Sequence, residues 1–241
     1  MKHAPSHSGN AFFIILLGIA LFAAFTYAVT RTNSQGGSLN PDLDKVSASQ
    51  IISYGDSLKT TIDTMRGRGV GEGQFSFAND DATATGYGTV GTNPSVEVFN
   101  VGGGGLTYEK PNAKWMDPLY EAQREWGFYG RNAVRDVGSP IGSECAASTC
   151  NELVAMLGYI RKSICIQINN NLGVTNPGGN PPRAATPLAY NKFVGTYGAT
   201  KPITDNNPAN SYLAGKTAAC FEGGGTPDTG TYHYYQVLIA R

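Results

Sequence analysis

The sequence predicts an α+β protein. It reads as an N-terminal hydrophobic helix, transmembrane or filament-core, then an amphipathic helix, then a Gly-rich antiparallel β head with one further buried helix. Three observations predict this. The stretch Ala11–Val29 carries no charged residue and is apolar on every side, unlike a core helix with one polar face. Between Leu43 and Met65 the apolar residues recur at spacings of mostly three and four. Downstream, short apolar stretches alternate with Gly, Asn and Pro clusters. The composition agrees: 31 Gly and 13 Tyr with only 15% charged residues resemble exported, loop-rich β proteins more than cytosolic enzymes.

Taken in order, residues 1–9 form a short, polar, mildly basic leader with Lys2, His3 and His7. Residues 10–32 form the hydrophobic helix. At ~1.5 Å of rise per residue, a helix of this length just spans the ~30 Å hydrocarbon core of a bilayer. Three fates compete for it: a signal peptide cut near Ala28, an uncut signal anchor, or a cut after Gly9 that leaves the helix on the mature chain beginning at Asn10. Residues 33–40 are a polar linker in which Gly36-Gly37 breaks the helix. The head domain covers 41–241.

In the head, Asn40 caps and Pro41 opens an amphipathic helix over Pro41–Arg66. Its inward stripe is read as Leu43, Val46, Ile51, Tyr54, Leu58, Ile62 and Met65. Short strands are expected at Gln74–Ala78, Val96–Val101 and Gly104–Tyr108, and a helical turn at Asp117–Arg124. Trp126–Tyr129 and Ala133–Val137 read as a hairpin around Gly130-Arg131-Asn132. A second helix is expected over Cys150–Leu172, opened by a Thr149/Glu152 capping box and closed by Gly173. Asn176–Pro187 reads as a surface loop. Phe193–Tyr197, Thr217–Phe221 and Tyr232–Ala240 read as strands, the last two pairing across Glu222–Gly230.

Eighteen basic and eighteen acidic residues give zero net charge, which argues against nucleic acid as a partner. The four cysteines, Cys145, Cys150, Cys165 and Cys220, follow a membrane-targeting stretch and point to disulfides in an oxidising compartment. Zinc is disfavoured, because no Cys-x-x-Cys occurs and His233 is the one histidine outside the leader. Four cysteines allow three pairings, and sequence alone does not choose among them. The preferred pairing is Cys145–Cys150, holding the start of the second helix, with Cys165–Cys220, tying helix to sheet.

A short basic leader ending in Gly9, a long apolar helix, an amphipathic helix and a Gly-rich β domain together resemble the type IV pilin and pseudopilin plan. Asn10 and Ile14 stand where pilins usually carry Phe and Glu. The resemblance implies processing between Gly9 and Asn10, methylation of the new terminus, and a structural subunit rather than an enzyme. It implies self-association, or association with other pilin-like subunits, through the N-terminal helix. The location implied is the inner membrane with a periplasmic head, or an extracellular filament. A C-terminal disulfide loop, here Cys165–Cys220, is also a pilin feature. The alternative reading is a single-pass anchored binding protein of the cell envelope that does not polymerise.

Several motifs suggest other chemistry. Gly55-Asp56-Ser57-Leu58 spells the opening block of GDSL hydrolases, but the surrounding spacing is helical and no base or orienting acid follows at the required spacing. Gly67-x-Gly69-x-Gly71-x-Gly73 follows a helix rather than a strand, so it reads as a turn and not a phosphate cradle. Asn79-Asp80-Asp81 and Asp205-Asn206-Asn207 are oxygen-rich loops open to Ca²⁺, with ordinary turn chemistry the preferred reading. No cofactor is expected. His233 lies on a strand among aromatics and reads as packed rather than catalytic, and the tyrosines as core and interface residues.

Overall fold

The stretch that the periodicity marks as an amphipathic helix forms one. In the computed structural model, which describes residues 41–81, 84–138, 150–198, 201–207 and 211–241, helix α1 runs over Pro41–Gly67. Its buried line is Ala48, Ile51, Tyr54, Leu58, Ile62 and Met65. Burying each large aliphatic side chain among them is worth about 1.5–3 kcal/mol. Two expected members of the stripe stand outside it: Leu43 is 57% and Val46 54% exposed. Val46 lies five residues before Ile51, about 140° around the helix, so a spacing rule satisfied further along fails at this end.

Five strands form one mixed sheet: β1 Trp126–Val134, β2 Glu152–Ile160, β3 Lys201–Ile203, β4 Ala218–Glu222 and β5 Tyr232–Ile239. The spatial order is β3-β1-β2-β5-β4. The pairs β1–β2, β2–β5 and β4–β5 are antiparallel, while β1–β3 is parallel. The expected β4–β5 pairing and the turn over Pro118–Gln123, a 3₁₀ helix, are both present.

Other expectations are corrected. The helix expected over Cys150–Leu172 is two elements, β2 and then helix α2, Lys162–Leu172. Strand β2 is apolar on both faces, so it shows no alternation, and only Arg161 separates it from α2. Gly173 does close α2, in the left-handed conformation at φ 64°. The hairpin expected at Gly130-Arg131-Asn132 is instead an irregularity within the continuous strand β1, where the register shifts between Tyr129 and Asn132. Gly130 is required for close approach, since a Cβ there would meet Phe193 at 2.6 Å. Gln74–Ala78, Val96–Val101, Gly104–Tyr108 and Phe193–Tyr197 form no strands. Within them, Ser76 and Glu97 form an isolated bridge, and Lys192, just before Phe193, bridges to Tyr129.

The sheet has a helix side and a loop side. On the helix side, α1 and α2 pack on Trp126, Phe128, Leu153, Ala155, Leu157, Tyr234 and Leu238. Gly55 lets α1 lie directly on Tyr234, whose hydroxyl would be 2.5 Å from an added Cβ. On the loop side, Val174, Ala184, Leu188 and Leu213 cover Tyr129, Val154, Met156, Ile203, Phe221 and Tyr235. The disulfide Cys165–Cys220 ties α2 to β4 as expected, with the Cα atoms 5.4 Å apart. Asn169 reinforces it: its amide donates to the Cys220 carbonyl at 2.9 Å and its oxygen accepts the Cys220 N–H at 2.8 Å.

The leader, the hydrophobic helix, the linker, the processing residues Gly9 and Asn10, and Cys145 with Thr149 lie outside the described residues. Among the described residues, no helix is long and apolar enough to cross a membrane.

Candidate functional site

The loop side of the sheet is not fully covered. Gly127 on β1 and Gly158 on β2 point no side chain from that face, and a depression forms beside them. It is a cavity of about 500 Å³, within the range of small-molecule sites. Met156, Tyr129 and His233 border it from the strands, Tyr190 and Lys192 from the segment that bridges to β1, and Arg124 and Glu125 from the turn before β1.

The geometry is built by local irregularities. Between Leu157 and Ile160 the β2–β5 register shifts, and Tyr159 takes a left-handed backbone at φ 58°. Such a conformation is unfavourable for a bulky residue. The displaced ring stacks on Tyr120 at 4.4 Å and meets His233 edge-on at 5.0 Å. Tyr190 packs edge-on against Tyr129 at 5.3 Å. Lys192 is held in place: it pairs with Glu125 at 2.8 Å, donates to the Thr85 carbonyl at 2.6 Å and lies over the Tyr87 ring.

The protonation states follow from burial. Tyr129 and Tyr190 have their pKa values raised, chiefly by burial, so both keep their hydroxyl protons. Burial pushes His233 down to about 3, so the ring is neutral. The Thr231 hydroxyl donates to the Asp228 carbonyl at 2.5 Å and contacts His233 Nε2 at 2.7 Å. With that one proton committed, Nε2 must carry the ring proton, which leaves Nδ1 as a bare acceptor. Among the described residues, Nδ1 has no partner and neither hydroxyl of Tyr129 and Tyr190 makes a hydrogen bond.

The residues singled out by sequence fall elsewhere. Ser57 lies on α1 and donates to the Ser53 carbonyl at 2.9 Å, while its neighbour Leu58 is core, so the hydrolase-like tetrapeptide is helix surface and packing. Gly67–Gly73 is the turn leaving α1. In the loop after β3, Asp205 accepts from the Asn207 N–H, the Ser211 hydroxyl and the Leu213 N–H, which is turn chemistry. Asp81 pairs with Lys110 at 3.2 Å. Among the described residues, no cluster of His, Cys, Asp and Glu is arranged to hold a metal ion. Cys150 is disulfide-bonded; its expected partner Cys145 is outside the described residues. Sequence reasoning missed Tyr129, Tyr190 and Lys192 as neighbours, because the bridge between Tyr129 and Lys192 joins residues without a pattern of their own.

No family model matches the chain, and no curated protein or solved structure matches it.

Proposed function

We propose that this chain is an exported structural subunit of a pilus- or pseudopilus-like envelope assembly, anchored through its N-terminal hydrophobic helix, and not an enzyme. The layout of a long helix packed on a mixed sheet, with a disulfide near the C-terminus, is compatible with that plan. The observation that carries the reading is the start of α1. Leu43 and Val46 stand exposed there, shortly after the apolar run in sequence. Apolar side chains that the head leaves uncovered suit a membrane surface or a neighbouring subunit. In the apolar run itself, Gly18, Ala20, Ala23 and Ala24 supply the small residues that side-by-side helix packing uses. Self-association or pairing with similar subunits would follow, with the head in the periplasm or on an extracellular filament.

N-terminal sequencing of the mature protein tests it. A start at Asn10 is the expected result. A start at Val29 overturns the proposal, because the assembly helix would be gone. An intact Met1 favours the second reading, a single-pass anchored binding protein. The loop-side cavity is the observation that favours that alternative.

A further inference from the structure

We propose that the loop-side cavity binds a pyranose residue of a glycan. This assignment stands apart from the question of polymerisation, since either a subunit or a plain anchored protein can carry it. The argument is one of matching groups. The cavity offers aromatic surface from Tyr159 and Tyr190 and polar atoms without a partner among the described residues: the hydroxyls of Tyr129 and Tyr190, and Nδ1 of His233. A ligand that uses all of these has an apolar face and a rim of hydroxyl groups, which describes a sugar ring. A hydrocarbon would leave the hydroxyls and Nδ1 desolvated and unpaired, a cost that selects against it.

The donor and acceptor pattern is fixed in advance. Nδ1 accepts only, because Nε2 holds the ring proton against Thr231. The tyrosine hydroxyls accept or donate. A sugar hydroxyl can donate to Nδ1 and accept from a tyrosine hydroxyl in one geometry. Gly127 and Gly158 make room for the two polar groups: the Tyr129 hydroxyl lies where a Cβ at Gly127 would sit, and His233 Nδ1 lies 2.9 Å from where one at Gly158 would sit. The charges at the edge are Glu125 and Lys192, paired with each other, and Arg124, which makes no ion pair among the described residues. Both neutral and carboxylate-bearing sugars share the ring chemistry, and Arg124 is placed to distinguish them.

The test is a titration of the full chain, held in a zwitterionic detergent without a sugar headgroup. The probes are methyl hexosides of glucose, galactose, mannose and N-acetylglucosamine, with methyl glucuronide and galacturonide as the acidic arm. Binding is read by saturation-transfer NMR. At least one probe is expected to bind with a dissociation constant of about 1 mM or tighter. Tyr190→Ala should weaken it at least about 10-fold, and Tyr129→Phe, which keeps the ring, about 3- to 10-fold. Arg124→Gln should weaken an acidic probe and leave a neutral one unchanged. Melting curves identify any variant that fails to fold, and Tyr129→Phe then carries the test alone. No binding by any probe overturns the proposal, as does binding that a folded Tyr129→Phe or Tyr190→Ala leaves intact.

Discussion

Two buried glutamates show how one residue type serves opposite roles. Glu97 takes the N–H groups of Gly91 and Asn93 and the Asn100 amide, at 2.9, 3.1 and 3.0 Å. Burial alone would raise its pKa, but these hydrogen bonds outweigh burial and hold the carboxyl below its ordinary range, so it organises its loop as an anion. Glu152 receives only the Val134 N–H on one oxygen, and the other has no partner. Burial pushes its carboxyl up to about 8. The unfolded chain loses this proton near the ordinary carboxyl value, while the folded chain holds it until about pH 8. Stability is therefore full below the unfolded value and falls as pH rises between the two, by about 1.4 kcal/mol per pH unit in that window. Glu152→Gln stays neutral and keeps an acceptor for Val134. Its melting temperature should exceed that of the parent at pH 8 and match it at pH 4. Equal melting at both values would show that Glu152 is not held protonated.

At the scale of elements, what the sequence disclosed followed the exposure of each element's faces. Helix α1 has one face to solvent, so its periodicity is visible, and α1 was predicted to within a residue. Strands β4 and β5 lie between Gly-rich turns that mark their ends. Strand β2 is central in the sheet and covered on both sides, so its apolar residues also satisfy a helical spacing, and the continuation into α2 concealed the boundary. The segments 74–78 and 96–101 carry the aromatic and branched residues of strands, but hydrogen bonds to the Glu97 carboxylate hold the loop after Thr89 in tight turns instead. The cavity was not legible because Tyr129 on β1, Tyr159 on β2 and Tyr190 in a loop are widely separated in sequence. The Cys165–Cys220 pairing was the preferred one of three that sequence alone leaves open, and the structure forms it. Its loop of 55 residues is worth about 4 kcal/mol in the chain-entropy model. Cys220→Ser should lower unfolding free energy by about that amount in urea titrations. Because one bond is lost in each case, Cys165→Ser/Cys220→Ser together should cost no more than either alone, apart from the small cost of the second hydroxyl. Additive losses would mean that the cysteines contribute separately by packing.

For the whole molecule, the proposed anchor makes it decisive on which side of a membrane the head folds. Charge is a poor guide, because the balance is zero and the apolar run is flanked by Lys2 on one side and Arg31 on the other. The cysteines are a better one. Among the described residues no cysteine is free, Cys165 and Cys220 are joined, and Cys150 is also bonded. A cytosolic thiol pool would keep such pairs reduced, so the proposed export of the head carries the expectation that they form in an oxidising compartment. The two-sided core strengthens the inference, since the Cys165–Cys220 bond and Asn169 hold α2 on β4 at the margin of the sheet. Without the bond that margin depends on Asn169 and on the apolar contacts of Ile164 and Ile168. A reporter fused after Arg241 that works only outside the cytoplasm should therefore be active, and one that works only inside should be silent. The reverse pattern would place the head in the cytoplasm and remove the anchored and pilus-like readings together, because both need the head exported. An exported head that still begins at Met1 would instead leave the anchored reading standing alone.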